Sequence, residues 1–173
     1  PKRTLPGKRT LAEVICNTSP IQYLHQTGYL WLLQDLFKSV TVPTGVVDEV
    51  SIGREVGIDL PDLIQLEWIS VRSPNHDETR QFDLDLGKGE RETILIALES
   101  PGSLIVMDDL LGRRTAVTYG IRIKGTLGIL LSAKEKGHIP MVRPVLNSLA
   151  DLGFRLDLRT KQIVLQKAGE DWR

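Results

Sequence analysis

The stretch Ser103 to Met107 (S-L-I-V-M) reads as one continuous apolar strand, with a helical pattern on either side of it. A strand without alternating polarity is buried on both faces, which places it in the middle of a parallel sheet. Ahead of it, Lys88 to Glu99 predicts a strong helix with Ile94, Leu95, Ala97 and Leu98 on its apolar face; Pro101 and Gly102 end it. Behind it, Leu110 to Tyr119 reads as a helix closed by Gly120. Shorter apolar runs recur at Leu11–Cys16, Ser39–Val42, Trp68–Val71 (an edge strand) and Ile121–Lys124. Between and after them, helical spacing covers Ile21–Phe37 (broken at Gly28), Gly45–Ile52, Leu60–Leu66, Leu127–Lys136, Pro140–Leu152 and Thr160–Ala168. Such alternation predicts an α/β fold, a parallel sheet with helices on both faces. Right-handed crossovers then bring the strand carboxyl ends to one edge.

The 173 residues fit one domain, expected over 11–173, and suffice for a core without disulfides. Residues 1–10 carry a basic cluster, P-K-R-T-L-P-G-K-R, expected to be a poorly ordered terminus. Ser73 to Asp85 is polar and irregular, the best candidate for a mobile loop. A single cysteine, Cys16, rules out a Cys-rich zinc site and suits a reducing cytoplasm. No apolar stretch reaches membrane-spanning length, and no signal-peptide core follows the basic start. With 22 basic and 22 acidic residues the net charge is zero, which argues against nucleic-acid binding by bulk charge alone.

Four acidic stations are spread along the chain, three of them at or a few residues beyond an apolar run, and one is filled by an amide. They are Asn17 (V-I-C-N-T-S-P), Glu49 (V-V-D-E-V), Glu90 with Glu92 (G-K-G-E-R-E-T), and Asp108–Asp109 (L-I-V-M-D-D). Ligands of open α/β sheets bind at strand carboxyl ends. Carboxylates converging there would suit Mg²⁺ or Mn²⁺. Each position also has a plain structural role. Asn17 and the two aspartates are good helix N-caps. Glu90 and Glu92 can complement a helix dipole. Being two apart, these glutamates do not share a face, so one of them, Glu90 by preference, points into a site. Asp109 is expected to face the site and Asp108 the helix start, or the reverse. His25, His76 and His138 sit in surface contexts with no partner motif.

The ordered motifs N-T-S-P, V-P-x-x-V-x-x-E, G-K-G-E-x-E, M-D-D, R-R-x-A and G-T-L-G-I-L-L-x-A-K span about residues 12 to 170. Together they resemble the PIN-domain family, and most nearly its uncharacterised prokaryotic branch related to VapC-type toxins, of which the G-T-L-G-I-L-L helix is a signature. The resemblance implies a three-layer α/β/α fold with a central parallel sheet, and a Mg²⁺- or Mn²⁺-dependent ribonuclease. It implies Glu49, Glu90, Asp108 and Asp109 as catalytic acids. Asn17, Glu49, Glu90 and Asp109 would be metal ligands, with Glu92, Thr18 and Ser19 in support. The family carries aspartate where this chain has Asn17. An amide brings no negative charge to a dication. The competing reading is therefore a degenerate PIN domain that binds RNA or a protein partner without cleavage.

Arg91, Arg113 and Arg114 are candidate phosphate contacts, with ion pairing to nearby acids as the alternative. Thr126, opening the helix after Gly125, is either an anion contact or an N-cap. Tyr29, Trp31 and Phe37 make one helix apolar enough for a homodimer contact. An antitoxin protein is the further partner that the resemblance implies. A nucleotide-binding or receiver-like domain is disfavoured by the absence of G-x-G-x-x-G or a P-loop.

Overall fold

Strands β1 (Val14–Cys16), β2 (Val40–Pro43), β3 (Ile69–Arg72), β4 (Leu104–Val106) and β5 (Arg122–Lys124) pair in parallel throughout, in the order β3-β2-β1-β4-β5. This arrangement comes from a computed structural model, which describes residues 12–75 and 85–171. The basic start, His76 and most of the polar 73–85 stretch lie outside the described residues. The helices are α1 (Thr18–Gln26), α2 (Trp31–Phe37), α3 (Thr44–Glu55), α4 (Lys88–Glu99), α5 (Leu110–Thr118), α6 (Thr126–Glu135), α7 (Arg143–Asp151) and α8 (Leu158–Lys167). Leu60–Leu66, expected as a helix, forms only a single 3₁₀ turn at Leu63–Gln65. Pro61 and the extended backbone at Asp62 and Leu66 leave no room for a further turn.

Alternation along each central strand divides the core in two. Val14 and Cys16 of β1 and Val106 of β4 face one apolar layer, which holds Ile21, Leu24, Leu33, Ile129, Leu130 and Leu146. Ile15, Ile105 and Met107 face the other, with Ile94 and Ile96 of α4 and Ala116 of α5. Both central strands are thus buried on two sides, and the chain is a three-layer α/β/α structure. The trailing strand β3 is half-exposed, as an edge strand should be.

Helix boundaries follow local chemistry. Gly28 ends α1 with φ +81°, a conformation that costs a non-glycine residue energy, and the chain re-enters α2 three residues later. Among the described residues, no helix is long and apolar enough to cross a membrane.

Candidate functional site

The chain runs from β1 outward to β2 and β3, then returns to lay β4 on the other side of β1. Connections from β1 and β4 therefore leave in opposite directions, and a crevice opens outside their carboxyl ends. Asn17 follows β1 directly, and its backbone N–H donates to the Val106 carbonyl (3.0 Å). Asp108 and Asp109 follow β4 after Met107, and Glu90 enters from the first turn of α4. Stations far apart in sequence meet here because the strand order reverses here.

Asn17 occupies the N-cap position of α1 but makes no capping bond. Its fully buried side chain instead donates from Nδ2 to Glu90 Oε1 at 3.1 Å. The reverse amide orientation would set a carbonyl oxygen against a carboxylate, so this contact fixes the rotamer. Asn17 Oδ1 is buried without a hydrogen-bond partner.

Glu49 joins three helices. It accepts from the Gly89 N–H (3.1 Å) and from the Thr18 hydroxyl. A Cβ at position 89 would stand 2.8 Å from Glu49 Oε2, so only glycine allows this approach. Glu92 points elsewhere: it accepts from the Gly45 N–H (2.6 Å) and Thr44 Oγ1 (3.2 Å), capping α3. Of the two glutamates on α4, Glu90 faces the crevice.

Each aspartate of the pair holds a helix start. Asp108 accepts from Thr126 N–H (2.7 Å) and Thr126 Oγ1 (2.6 Å) at the head of α6, and Asp109 accepts from Gly112 N–H (2.7 Å) at the head of α5. Gly125 permits the first contact, since a Cβ there would lie 2.9 Å from Asp108 Oδ1. Burial pushes the Asp108 carboxyl above the usual range, and Thr126 and Arg113 pull it back only in part. The Cys16 thiol is raised by burial and by the Asp108 charge, which keeps it a protonated, unreactive thiol.

Glu90, Asp108 and Asp109 line a cavity of about 840 Å³ that also takes in Ser19, Tyr23, Phe154 and four cations: Arg113, Lys124, Arg155 and Lys167. Arg113 donates to the Met107 carbonyl (3.0 Å) and Lys124 to the Ser132 hydroxyl. None of the four forms a salt bridge with a described residue.

The other predicted contacts stand apart. Glu49 and Thr18 pair with each other and do not line the cavity. Arg91 donates to the Leu86 carbonyl (3.2 Å), and Arg114 is exposed outside the cavity. Thr126 is buried, with its N–H and hydroxyl both given to Asp108. His25 and His138 sit beside Asp59 and Asp35 and do not line the cavity. Sequence reasoning missed Lys124, Arg155, Lys167, Tyr23 and Phe154. Lys124 directly precedes the G-T-L-G-I-L-L motif, which gave a weak signal; the others gave none.

A family model described as a PIN domain matches residues 13–170, so the chain belongs to the PIN-domain family. No match to the chain was found among curated proteins or among solved structures. PIN domains are generally nucleases that use divalent metals.

A resident dication would have to compete with donors that the acids of the crevice already hold. Mg²⁺ and Mn²⁺ take a near-octahedral shell of oxygen ligands, in which one or two carboxylates are completed by waters. Here the Asn17 amide N–H already donates to Glu90 Oε1 and brings no negative charge of its own. Glu49, Asp108 and Asp109 accept from backbone N–H groups. Among the described residues, no three His, Cys, Asp or Glu side chains are grouped to hold a metal ion.

Proposed function

We propose that this PIN domain binds single-stranded RNA by its phosphate backbone in the β1–β4 crevice and does not cut it. The observation that carries this reading is the Asn17 Nδ2–Glu90 Oε1 hydrogen bond. An aspartate at position 17 would leave two carboxylates in contact, and only a proton or a cation would reconcile them. The amide supplies the missing donor from within the protein. The crevice keeps Arg113, which also feels the Asp108 charge, and Lys124, Arg155 and Lys167, none of them in a salt bridge with a described residue. Cations so placed attract phosphates by charge and counterion release. A neutral chain can therefore bind RNA at one locally basic mouth.

Binding is tested by fluorescence anisotropy of a labelled single-stranded RNA over a salt series, in EDTA and in Mn²⁺. The expected result is salt-sensitive binding of equal strength in both, with the RNA intact. RNA binding that requires Mn²⁺, or no binding at low salt, overturns the proposal.

A second reading rests on a different observation, the buried Oδ1 of Asn17, which has no hydrogen-bond partner on a side chain that reaches Glu90. It is metal-dependent hydrolysis of RNA phosphodiesters with Mg²⁺ or Mn²⁺, held by Asn17, Glu49, Glu90 and Asp109. It needs Glu90 to release the amide. A role as the toxin half of a toxin–antitoxin pair goes with this reading. Mn²⁺ binding by the native chain that disappears in Asp109→Asn is its test. Pairing of two chains through the face bearing Trp31, which is 41% exposed, is compatible with either reading and is tested by sedimentation.

A further inference from the structure

We infer that the cavity wall built from α1, α8 and the turn between α7 and α8 is a subsite for one flanking nucleotide of single-stranded RNA. In it the base sits on the Tyr23–Phe154 pair, and Arg155 and Lys167 meet the adjoining phosphates. The inference rests on the proposed RNA binding and names where the strand runs beyond the acids.

Four observations converge. The cavity, at about 840 Å³, lies toward the upper end of the roughly 300–1,000 Å³ that ligand pockets occupy, more than one phosphodiester at Glu90, Asp108 and Asp109 would fill. Tyr23 and Phe154 both line it, with ring centroids 5.0 Å apart and planes at 88°. Their mutual contact holds both rings in place before any ligand arrives, so little ordering is lost when a base stacks. Gly153, at φ +84°, makes the tight turn that carries Phe154 back onto Tyr23 and leaves Arg155 at the rim. Arg155 and Lys167 are exposed and form no salt bridge with a described residue, so their charge remains available.

The chemistry selects the ligand class. Aromatic side chains stack on bases that are unpaired and splayed out, and every base offers a face for it. A duplex buries those faces, so the subsite favours single strands and is tolerant of sequence. Arg155 and Lys167 add backbone contacts, each worth about 0.7 in the logarithmic salt slope for a single strand.

The experiment measures affinity of the full chain for a short labelled single-stranded RNA, for the same RNA with abasic positions throughout, and for a duplex of equal length. Phe154→Leu is expected to weaken the natural single strand roughly tenfold, the low to middle range of one stacked base. It should leave the abasic strand unchanged. Phe154→Tyr keeps the ring and should restore native affinity. Arg155→Gln and Lys167→Gln should weaken natural and abasic strands alike and each lower the salt slope by about 0.7. Arg159→Gln, on α8 but off the cavity, should change nothing. Equal loss on natural and abasic RNA in Phe154→Leu would reduce Phe154 to a structural role and overturn the inference. So would preference for duplex, or unchanged affinity in all three cavity variants. If the native chain binds none of the three nucleic acids, the proposed function itself fails. If it binds but ignores these residues, only the subsite fails.

Discussion

Replacing Asn17 by aspartate exchanges a hydrogen bond for a repulsion, and its cost can be worked out. The lost Nδ2–H···Oε1 contact (3.1 Å) is a hydrogen bond to a charged group, worth about 1.5–3 kcal/mol. Two carboxylates about 4 Å apart repel by about 4 kcal/mol at an effective dielectric near 20. Protonation sets a ceiling on the sum. A carboxyl with an ordinary pKa of about 3.9 takes up a proton for about 1.4 kcal/mol per pH unit above that value, so near pH 7 the escape costs about 4 kcal/mol. Once protonated, the introduced carboxyl donates to Glu90 again. Asn17→Asp should therefore lose about 4 kcal/mol near pH 7 without metal, and only about 1.5 kcal/mol near pH 5. The sign follows from the raised carboxyl pKa in the folded variant. The folded state then binds more protons than the unfolded chain, and stability falls as pH rises through the carboxyl range. Mn²⁺ at a hundred times its dissociation constant should return about 2.7 kcal/mol to the variant and little to the native chain. Urea unfolding at both pH values, with EDTA or Mn²⁺, reads all of this. A variant as stable as the native protein near pH 7 in EDTA, or a loss that does not change with pH, would refute the pairing of Asn17 with Glu90.

Gly89→Ala should destabilise by about 1–2 kcal/mol, although glycine to alanine inside a helix ordinarily gains about 1 kcal/mol, because the new Cβ meets Glu49 at 2.8 Å. Thermal unfolding checks it, and a gain in stability contradicts it. Glu92→Ala should cost about 1–2 kcal/mol by uncapping α3 while leaving RNA affinity unchanged, since Glu92 does not line the cavity. Burial raises the Glu170 carboxyl, but Lys134 (2.8 Å) and the N–H groups of Val142 (2.6 Å) and Arg143 (3.0 Å) together hold it below its ordinary value near 4.5. This contribution is full above that value and is lost as pH falls through the depressed one. Glu170→Gln should thus cost about 1.5–3 kcal/mol at neutral pH and flatten the acid limb of the stability curve. An acid limb identical to the native one would contradict this assignment.

Much of the fold is legible because burial writes itself into the chain. The run Leu104–Val106 lacks polar positions because helices cover both sides of it, and Lys88–Glu99 carries an apolar face at helical spacing. The 60–66 segment misleads because its apolar spacing suits a helix, while the backbone at Asp62 and Leu66 is extended. Acid positions can be read from sequence; their partners cannot. Nothing in V-I-C-N-T-S-P tells that the Asn17 side chain leaves the helix it precedes and turns to Glu90, 73 positions away. The split between Glu90 and Glu92 follows from their two-residue spacing, but which one faces the crevice depends on where α3 packs. The basic and aromatic wall is invisible for a similar reason. Tyr23, Phe154, Arg155 and Lys167 belong to three separate segments and follow no local pattern.

The central claim is that Asn17 holds this PIN cleft in a binding state. Its most direct test is a labelled single-stranded RNA incubated with Mn²⁺ and the native chain, Asn17→Asp, or Asn17→Asp combined with Asp109→Asn. Intact, bound RNA is expected with the native chain, cleavage with Asn17→Asp, and none with the double variant. Cleavage by the native chain, abolished by Asp109→Asn alone, would contradict that claim.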